Sequence, residues 1–307
     1  MKSHILRPHR VAMAPQWPSY RGTSHLVGTS PSGRVTVYVD PSLSAPVMQN
    51  ATDLLKDADR VVKANDGFFD AQGGPVNVIV FALGGVTDGT GGADHMSCDY
   101  ITGKNIECDA SFGNSMRVSG LFEAELSECS MGGTVCGQNT GEALSRWCAA
   151  TVSNNALADF ATAPTWYADG MPDFVTNTDP TDQNADSTGC GMAFISWLRS
   201  LGYGLEKIAP AMVALKDAGT FAELYAKLTG DSANNAWPKF STAVDALPKG
   251  VQNDDPFAGA APPAPPPVST TALQLAMLVL QTALDDLAAG KSETIVKADI
   301  EAVLKAH

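Results

Sequence analysis

The chain has 307 residues, 44% of them hydrophobic and 17% charged, with a net charge of −13 and a pI near 4.7. An acidic chain of this kind lacks the clustered Lys and Arg that phosphate backbones require, so nucleic acid and anionic membranes are disfavoured as partners. No run reaches the ~20 apolar residues of a membrane span. The longest apolar stretch, 273–287, is interrupted by Gln, Thr and Asp.

Residues 1–33 are rich in Pro, Gly, Ser and His and read as an extended lead-in. They carry basic residues but no apolar core of a signal peptide. RVTVYVD (34–40) alternates and is β-branched, so a strand is expected. Residues 41–65 place Val47, Ala51, Leu54, Leu55, Ala58, Val61 and Val62 at helical spacing. PVNVIVFALGG (75–85) predicts a buried strand, and GVTDGTGGADH after it a Gly/Asp loop. A hairpin over 96–110 follows, with Thr102-Gly103-Lys104-Asn105 at its turn.

A helix is then expected from about Ser119, and it carries Ala124-Glu125-Leu126-Ser127-Glu128. TGEALSRWCAATVS (140–153) is a second helix, with Thr140 at its N-cap. TWYADGMPDFV (165–175) is a short third element, and 176–189 an Asp/Asn loop. CGMAFISWLRSLG (190–202) is a strongly apolar helix, and two more helical segments follow. Residues 258–271 form a Pro/Ala linker, with the linker domain bounded at 251–270. Beyond it lie two amphipathic stretches, about 271–289 and 292–306, whose apolar stripes a two-helix hairpin cannot bury alone. They are expected to dock on the main domain or on another copy, making a homo-oligomer.

The fold class expected is α+β: a small twisted sheet in a mixed half (34–115), then a mostly helical half (116–250), and a C-terminal helical hairpin (271–307). This layout resembles the zincins, the metallopeptidase fold that puts a small sheet before an active-site helix. In the gluzincin branch a W-x-x-E-G-x-x-x-[YF] segment follows, and Trp166, Asp169, Gly170 and Phe174 stand in the matching places. The family's H-E-x-x-H helix is replaced here by AELSE. Catalytic zinc needs imidazoles or thiolates beside a carboxylate; Ala124 has no donor, and His4, His9, His25, His95 and His307 all lie off this helix. The chain also resembles a group of poorly characterised bacterial proteins with a C-G-x-x-N-G-E-x-L-S-R-like segment (here 136–146, with Thr140 inserted) and a D-P-T-D-x-N…G-C segment (179–190).

Glu125 and Glu128 share a helix face at i, i+3. Like charges this close raise one pKa, so one can serve as acid and the other as base. The bland alternative is a solvated face, to which Glu123 would contribute. Glu142 and Arg146, at i, i+4, form either a surface ion pair or a return glutamate that completes a site with Glu128. The resemblance implies Asp169 as a further catalytic candidate. Asp182, Asn184 and Asp186 have the spacing that opens a calcium loop, but Ser187 and Ala193 stand where an EF-hand has Gly and Glu. Metal-ligand candidates are therefore Glu128, Glu142, Asp182, Asn184 and Asp186, and the oxygen donors point to a divalent cation such as calcium. A thiol site joining Cys129 or Cys136 to the distant His95 is a further option, which disulfides would remove.

Six cysteines (98, 108, 129, 136, 148 and 190) permit three disulfides, and Cys98 with Cys108 across the hairpin is one pairing. Disulfides imply an oxidising, secreted or periplasmic setting. Two enzyme readings and one other stand at this level. One is a zincin-like protein without the standard histidines, either non-catalytic or a hydrolase using clustered carboxylates. Another is a carboxylate-pair glycan hydrolase with Trp147, Trp166 and Tyr167 lining its cleft. The third is a binding or assembly protein working through the C-terminal helices. The substrate of an enzyme would be a peptide or a glycan.

Overall fold

A computed structural model describes residues 15–81, 92–109 and 115–259, and Val279. The expected C-terminal helices and most of the Pro/Ala linker lie outside the described residues. The chain divides at residue 260 into two compact units, and the sheet and its helices belong to the first.

The first unit is α+β. Among the described residues five strands form one mixed sheet: β1 (His25–Thr29), β2 (Val35–Val39), β3 (Val76–Phe81), β4 (Ala93–Asp94) and β5 (Asn105–Asp109), in the order β1-β2-β3-β5-β4. β2, β3 and β5 run parallel, and the two edge strands β1 and β4 are antiparallel to their neighbours. The helices among the described residues are α1 (Ala45–Phe69), α2 (Ser115–Glu128), α3 (Asn139–Val152), α4 (Ala163–Ala168), α5 (Ala185–Ser200), α6 (Leu205–Val213), α7 (Phe221–Thr229) and α8 (Ala236–Asp245).

Strand alternation explains the layering. Val35, Val37 and Val39 of β2, with Val76, Val78 and Val80 of β3, point to one face and bury there against Leu54, Ala58 and Val61 of α1. Ile79 and Phe81 point to the other face, where Trp17 of the N-terminal segment covers them. β3 is therefore buried on both faces, which is why VNVIVF reads as a continuous apolar run. The described part of the lead-in, residues 15–33, thus supplies a covering layer, and β1 forms within it.

A second core fills the helical half. Trp166 stacks on Phe240, and Phe194 of α5 packs against Trp197, Phe221 and Phe240. Val251 and Phe257 are buried in this core, so the chain just before residue 260 packs onto the first unit.

α2 is the seam between the halves. Its Leu121, Phe122 and Leu126 join the sheet-side core, while it also packs along α3. Wedged there, Glu123 is fully buried, and neither carboxylate oxygen has a hydrogen-bond partner among the described residues. Burial holds its pKa well above the usual carboxylate range, against the pull of Arg60 and with a further push from Asp66. The expectation of a solvated face through Glu123 is corrected: it faces the core because the other side of the helix faces a cleft.

The unfolded carboxyl releases its proton in the ordinary range, while the folded one still holds it at higher pH. Stability therefore falls as pH rises from the ordinary range to the raised folded value. Glu123→Gln should remove that slope. Thermal unfolding at pH 8 should rise by about 2–4 °C for each kcal/mol relieved in a domain of this size, with a much smaller change near pH 4.5. A differential scan of both proteins at the two pH values checks this.

Candidate active site

A cleft of about 740 Å³ opens between the β4 edge of the sheet and the helical half. β4 and the loop after it form one wall, α2 the floor, and the start of α3 with the entry to α5 the opposite wall. Glu125 and Glu128 of α2 line it from below.

His95, the first residue after β4, reaches down to that floor. Its Nε2 lies 2.7 Å from Glu128 Oε2 and 3.7 Å from Glu125 Oε2. Its Nδ1 lies 2.9 Å from the Ser97 carbonyl oxygen. A carbonyl can only accept, so Nδ1 carries hydrogen and Nε2 is left to face the two glutamates. The imidazole is 6% exposed.

The loop from 95 to 104 holds this ring in place. Asp99 Oδ1 accepts from the backbone amides of Ile101 and Thr102, and Gly103 N donates to the Asp99 carbonyl. A Cβ at Gly103 would overlap the Ser97 carbonyl and press on His95 Nδ1, so the tight return over the histidine requires glycine here. The hairpin is present, but its first strand is Ala93–Asp94 rather than a segment after 96, and the residues between the strands are this loop.

The disulfide pairing is also corrected. Cys98 is bonded to Cys136, not to Cys108. Cys108 lies within β5 with its side chain in the sheet-side core, while Cys98 sits in the His95 loop facing the start of α3. Cys108, Cys129, Cys148 and Cys190 are buried thiols. The bridge ties the His95 loop to the turn that leads into α3, so it sets the spacing of the two cleft walls.

α3 brings Glu142, Ser145 and Arg146 to the cleft. Arg146 Nε donates to Glu142 Oε1 at 2.7 Å, and Arg146 also donates to the Phe160 carbonyl oxygen at 3.0 Å. The pair is partly buried and lines the same cleft as Glu125 and Glu128. Gln138 is the N-cap of this helix rather than Thr140, because the helix starts at Asn139, two residues before a Thr140 cap would allow.

The electrostatics follow from crowding acids in a poorly solvated place. Burial first, then repulsion from Glu128, Glu142, Asp94 and Asp182, holds the Glu125 carboxyl well above its usual range. Burial raises Glu128 as well, but the His95 hydrogen bond opposes that rise. Burial alone would lower His95; the hydrogen bond and charge of Glu128 outweigh it, and the imidazole pKa is raised. Burial pushes the Cys129 thiol far up, with Glu125 and Glu128 adding to it. Its Sγ is 4.0 Å from His95 Nδ1, the nitrogen already given to Ser97, so this arrangement does not prepare a thiolate.

Of the residues singled out in the sequence, Glu125, Glu128, Glu142, Arg146 and Asp182 line one cleft. Asp169, Asn184 and Asp186 are not among its lining residues. Asn184 is the N-cap of α5, its side chain accepting from Asp186 N, and burial together with the neighbouring Asp169 raises the Asp186 carboxyl. The spacing that suggested a calcium loop serves a helix start. Trp166 lies in the core, its indole NH donating to the Pro172 carbonyl. The aromatic side chains lining the cleft are Phe81 and Phe160, not Trp147, Trp166 or Tyr167. His95, which the sequence offered only as a partner for Cys129 or Cys136, stands against Glu125 and Glu128, a pairing that sequence distance hid. It is 30 residues before Glu125, and only the antiparallel pairing of β4 with β5 brings it back.

No protein-family model, curated protein or solved structure matches the chain.

The Cys98–Cys136 bridge closes a loop of 38 residues. Chain entropy then assigns it about 3–4 kcal/mol of stability. Replacing both cysteines by serine should lower the unfolding free energy by roughly that amount, with a lower urea midpoint as the readout.

Proposed function

We propose that this chain is a hydrolase of zincin-like build whose reaction centre is Glu125, Glu128 and His95, and whose substrate is an extended polypeptide. The observation that carries the reading is the placement of His95 Nε2 against both glutamates on the floor of an open cleft. The layout supports the likeness: a sheet with an antiparallel edge strand, a helix bearing AELSE beneath that edge, and a helical half beyond it. The zinc set of that family does not fit, since Ala124 offers no donor where its first histidine stands.

The chemistry that fits is proton transfer between two unlike carboxyls. Glu128, hydrogen-bonded to His95, is the better acceptor and takes a proton from the attacking water. Glu125 lacks that bond and gives a proton to the departing amide nitrogen. Water oxygen bonds to the carbonyl carbon, the carbon–nitrogen bond breaks, and the proton gained by Glu128 returns to Glu125, directly or through solvent, before the next turnover. The His95 ring, anchored at Ser97, keeps Glu128 oriented.

A peptide substrate is favoured over a glycan by the walls. β4 is a sheet edge that borders the cleft, and an extended chain can add to such an edge by backbone hydrogen bonds. The tryptophans expected to line a sugar site are elsewhere. The Cys98–Cys136 bridge supports an oxidising compartment as the working environment.

The test is mass-spectrometric detection of new termini when the oxidised protein meets a mixture of unfolded polypeptides with a chelator present. Cleavage should fall on the acid side as Glu128 takes up a proton and on the alkaline side as Glu125 loses its own, and Glu125→Gln and Glu128→Gln should each reduce it by about 10²-fold or more. No cleavage by the parent protein, or undiminished cleavage by both variants, overturns the reading. His95→Ala should weaken cleavage less than either glutamine variant, because it orients Glu128 and does not itself move the proton.

A further inference from the structure

We propose that reduction of the Cys98–Cys136 bridge converts one corner of the cleft into a binding site for a divalent cation of zinc type, held by His95 Nε2, Glu128 and the Cys136 thiolate. This inference stands apart from the hydrolase reading, which concerns the oxidised chain.

Three observations carry it. First, the donor atoms of His95, Glu128 and Cys136 all lie within 4.8 Å of one another. Ligand atoms on a tetrahedral zinc ion sit roughly 3.3–3.7 Å apart, given Zn–S of about 2.3 Å and Zn–N of about 2.1 Å. The widest separation in the cluster therefore needs to contract by about 1 Å, which rotation of a Cys136 side chain released from its bridge can supply. Second, the His95 ring already has the support found behind metal-bound imidazoles: Nδ1–H donates to a backbone carbonyl and Nε2 faces the other ligands. At 2.7 Å the Nε2–Glu128 contact must hold a proton, and a cation can take that proton's place. Third, the sulfur that completes the set is blocked by oxidation. A disulfide sulfur is neutral and a poor donor, whereas a thiolate is a zinc ligand. The Cys98 thiol, freed by the same step, stands beside it as a fourth donor.

Cys98 and Cys136 both line the cleft, so a small reductant can reach the bridge. The step balances with a dithiol. The disulfide gains two electrons and two protons and becomes two thiols, and the dithiol is oxidised to its own disulfide. The entering Zn²⁺ then displaces the Cys136 thiol proton and the proton between His95 and Glu128, both released to solvent. A donor set of imidazole, carboxylate and thiolate selects zinc and its neighbours over calcium. This differs from the cation that the acidic loop at 182–186 suggested.

The experiment compares the full chain in oxidised form and after treatment with dithiothreitol, desalted without air and then incubated with Zn²⁺ or Co²⁺. Elemental analysis after gel filtration should find one zinc per chain in the reduced protein and none in the oxidised protein. The cobalt form should show a thiolate-to-cobalt charge-transfer band. Cys98→Ser leaves Cys136 a permanent thiol and should bind zinc without any reductant. Cys136→Ser should lower affinity at least tenfold under reduction, and Cys129→Ser should not, with circular dichroism confirming that each variant is folded. Equal metal content in both redox forms overturns the proposal. So does zinc retained by folded Cys136→Ser, or zinc lost in Cys129→Ser instead.

Discussion

The cost of burying charge organises this molecule around α2. The helix is enclosed by the sheet-side core, α1 and α3, yet three of its residues are glutamates lying within or against that enclosure. Acids in so little water need partners, or they hold their protons. Glu128 has His95 and Glu125 shares that histidine, while Glu123 faces Arg60 only across a distance. A helix that merely packed would carry Leu or Ala at these places. The placement of β4, the loop over His95 and the disulfide behind that loop all serve to bring one imidazole to one end of this helix.

The segments that the bacterial likeness singled out have structural work to do. Asn139 exchanges hydrogen bonds with the backbone of Asp179, through its own amide and its side-chain oxygen. Asn184 donates to the Asp179 carboxylate. A Cβ at Gly141 would overlap the Val135 carbonyl, so α3 can begin directly against the disulfide-bearing turn only with glycine there. Asp254 accepts from the amides of Thr162 and Ala163, fixing the start of α4. These contacts hold α3 at the cleft wall, and with it Glu142 and Arg146.

Much of the fold could be read from residue patterns, because its strongest signals are local. The alternation in VTVYV, the apolar run of β3 and the helical spacing after residue 45 each reflect which face of one element is buried. The i, i+3 pair on α2 and the i, i+4 pair on α3 were legible for the same reason. What was not legible depends on chain reversal. His95 joins Glu128 only through the β4–β5 pairing, and Cys98 finds Cys136 only because the loop turns toward α3 rather than back along β5. Asn184 and Asp186 carry a spacing that opens a calcium loop and stand in the fold as a helix start, because an N-cap and a calcium loop both favour Asp and Asn at close spacing.

Ile101, at the tip of the turn that follows Cys98, is 82% exposed, and such a tip is where a protease nicks a folded chain most readily. The cut would fall inside the loop that the Cys98–Cys136 bridge closes. It would leave the two pieces covalently joined, His95 on one and both glutamates on the other. The nicked protein would run as a single species until its sulfurs were reduced, and only then come apart across its own cleft.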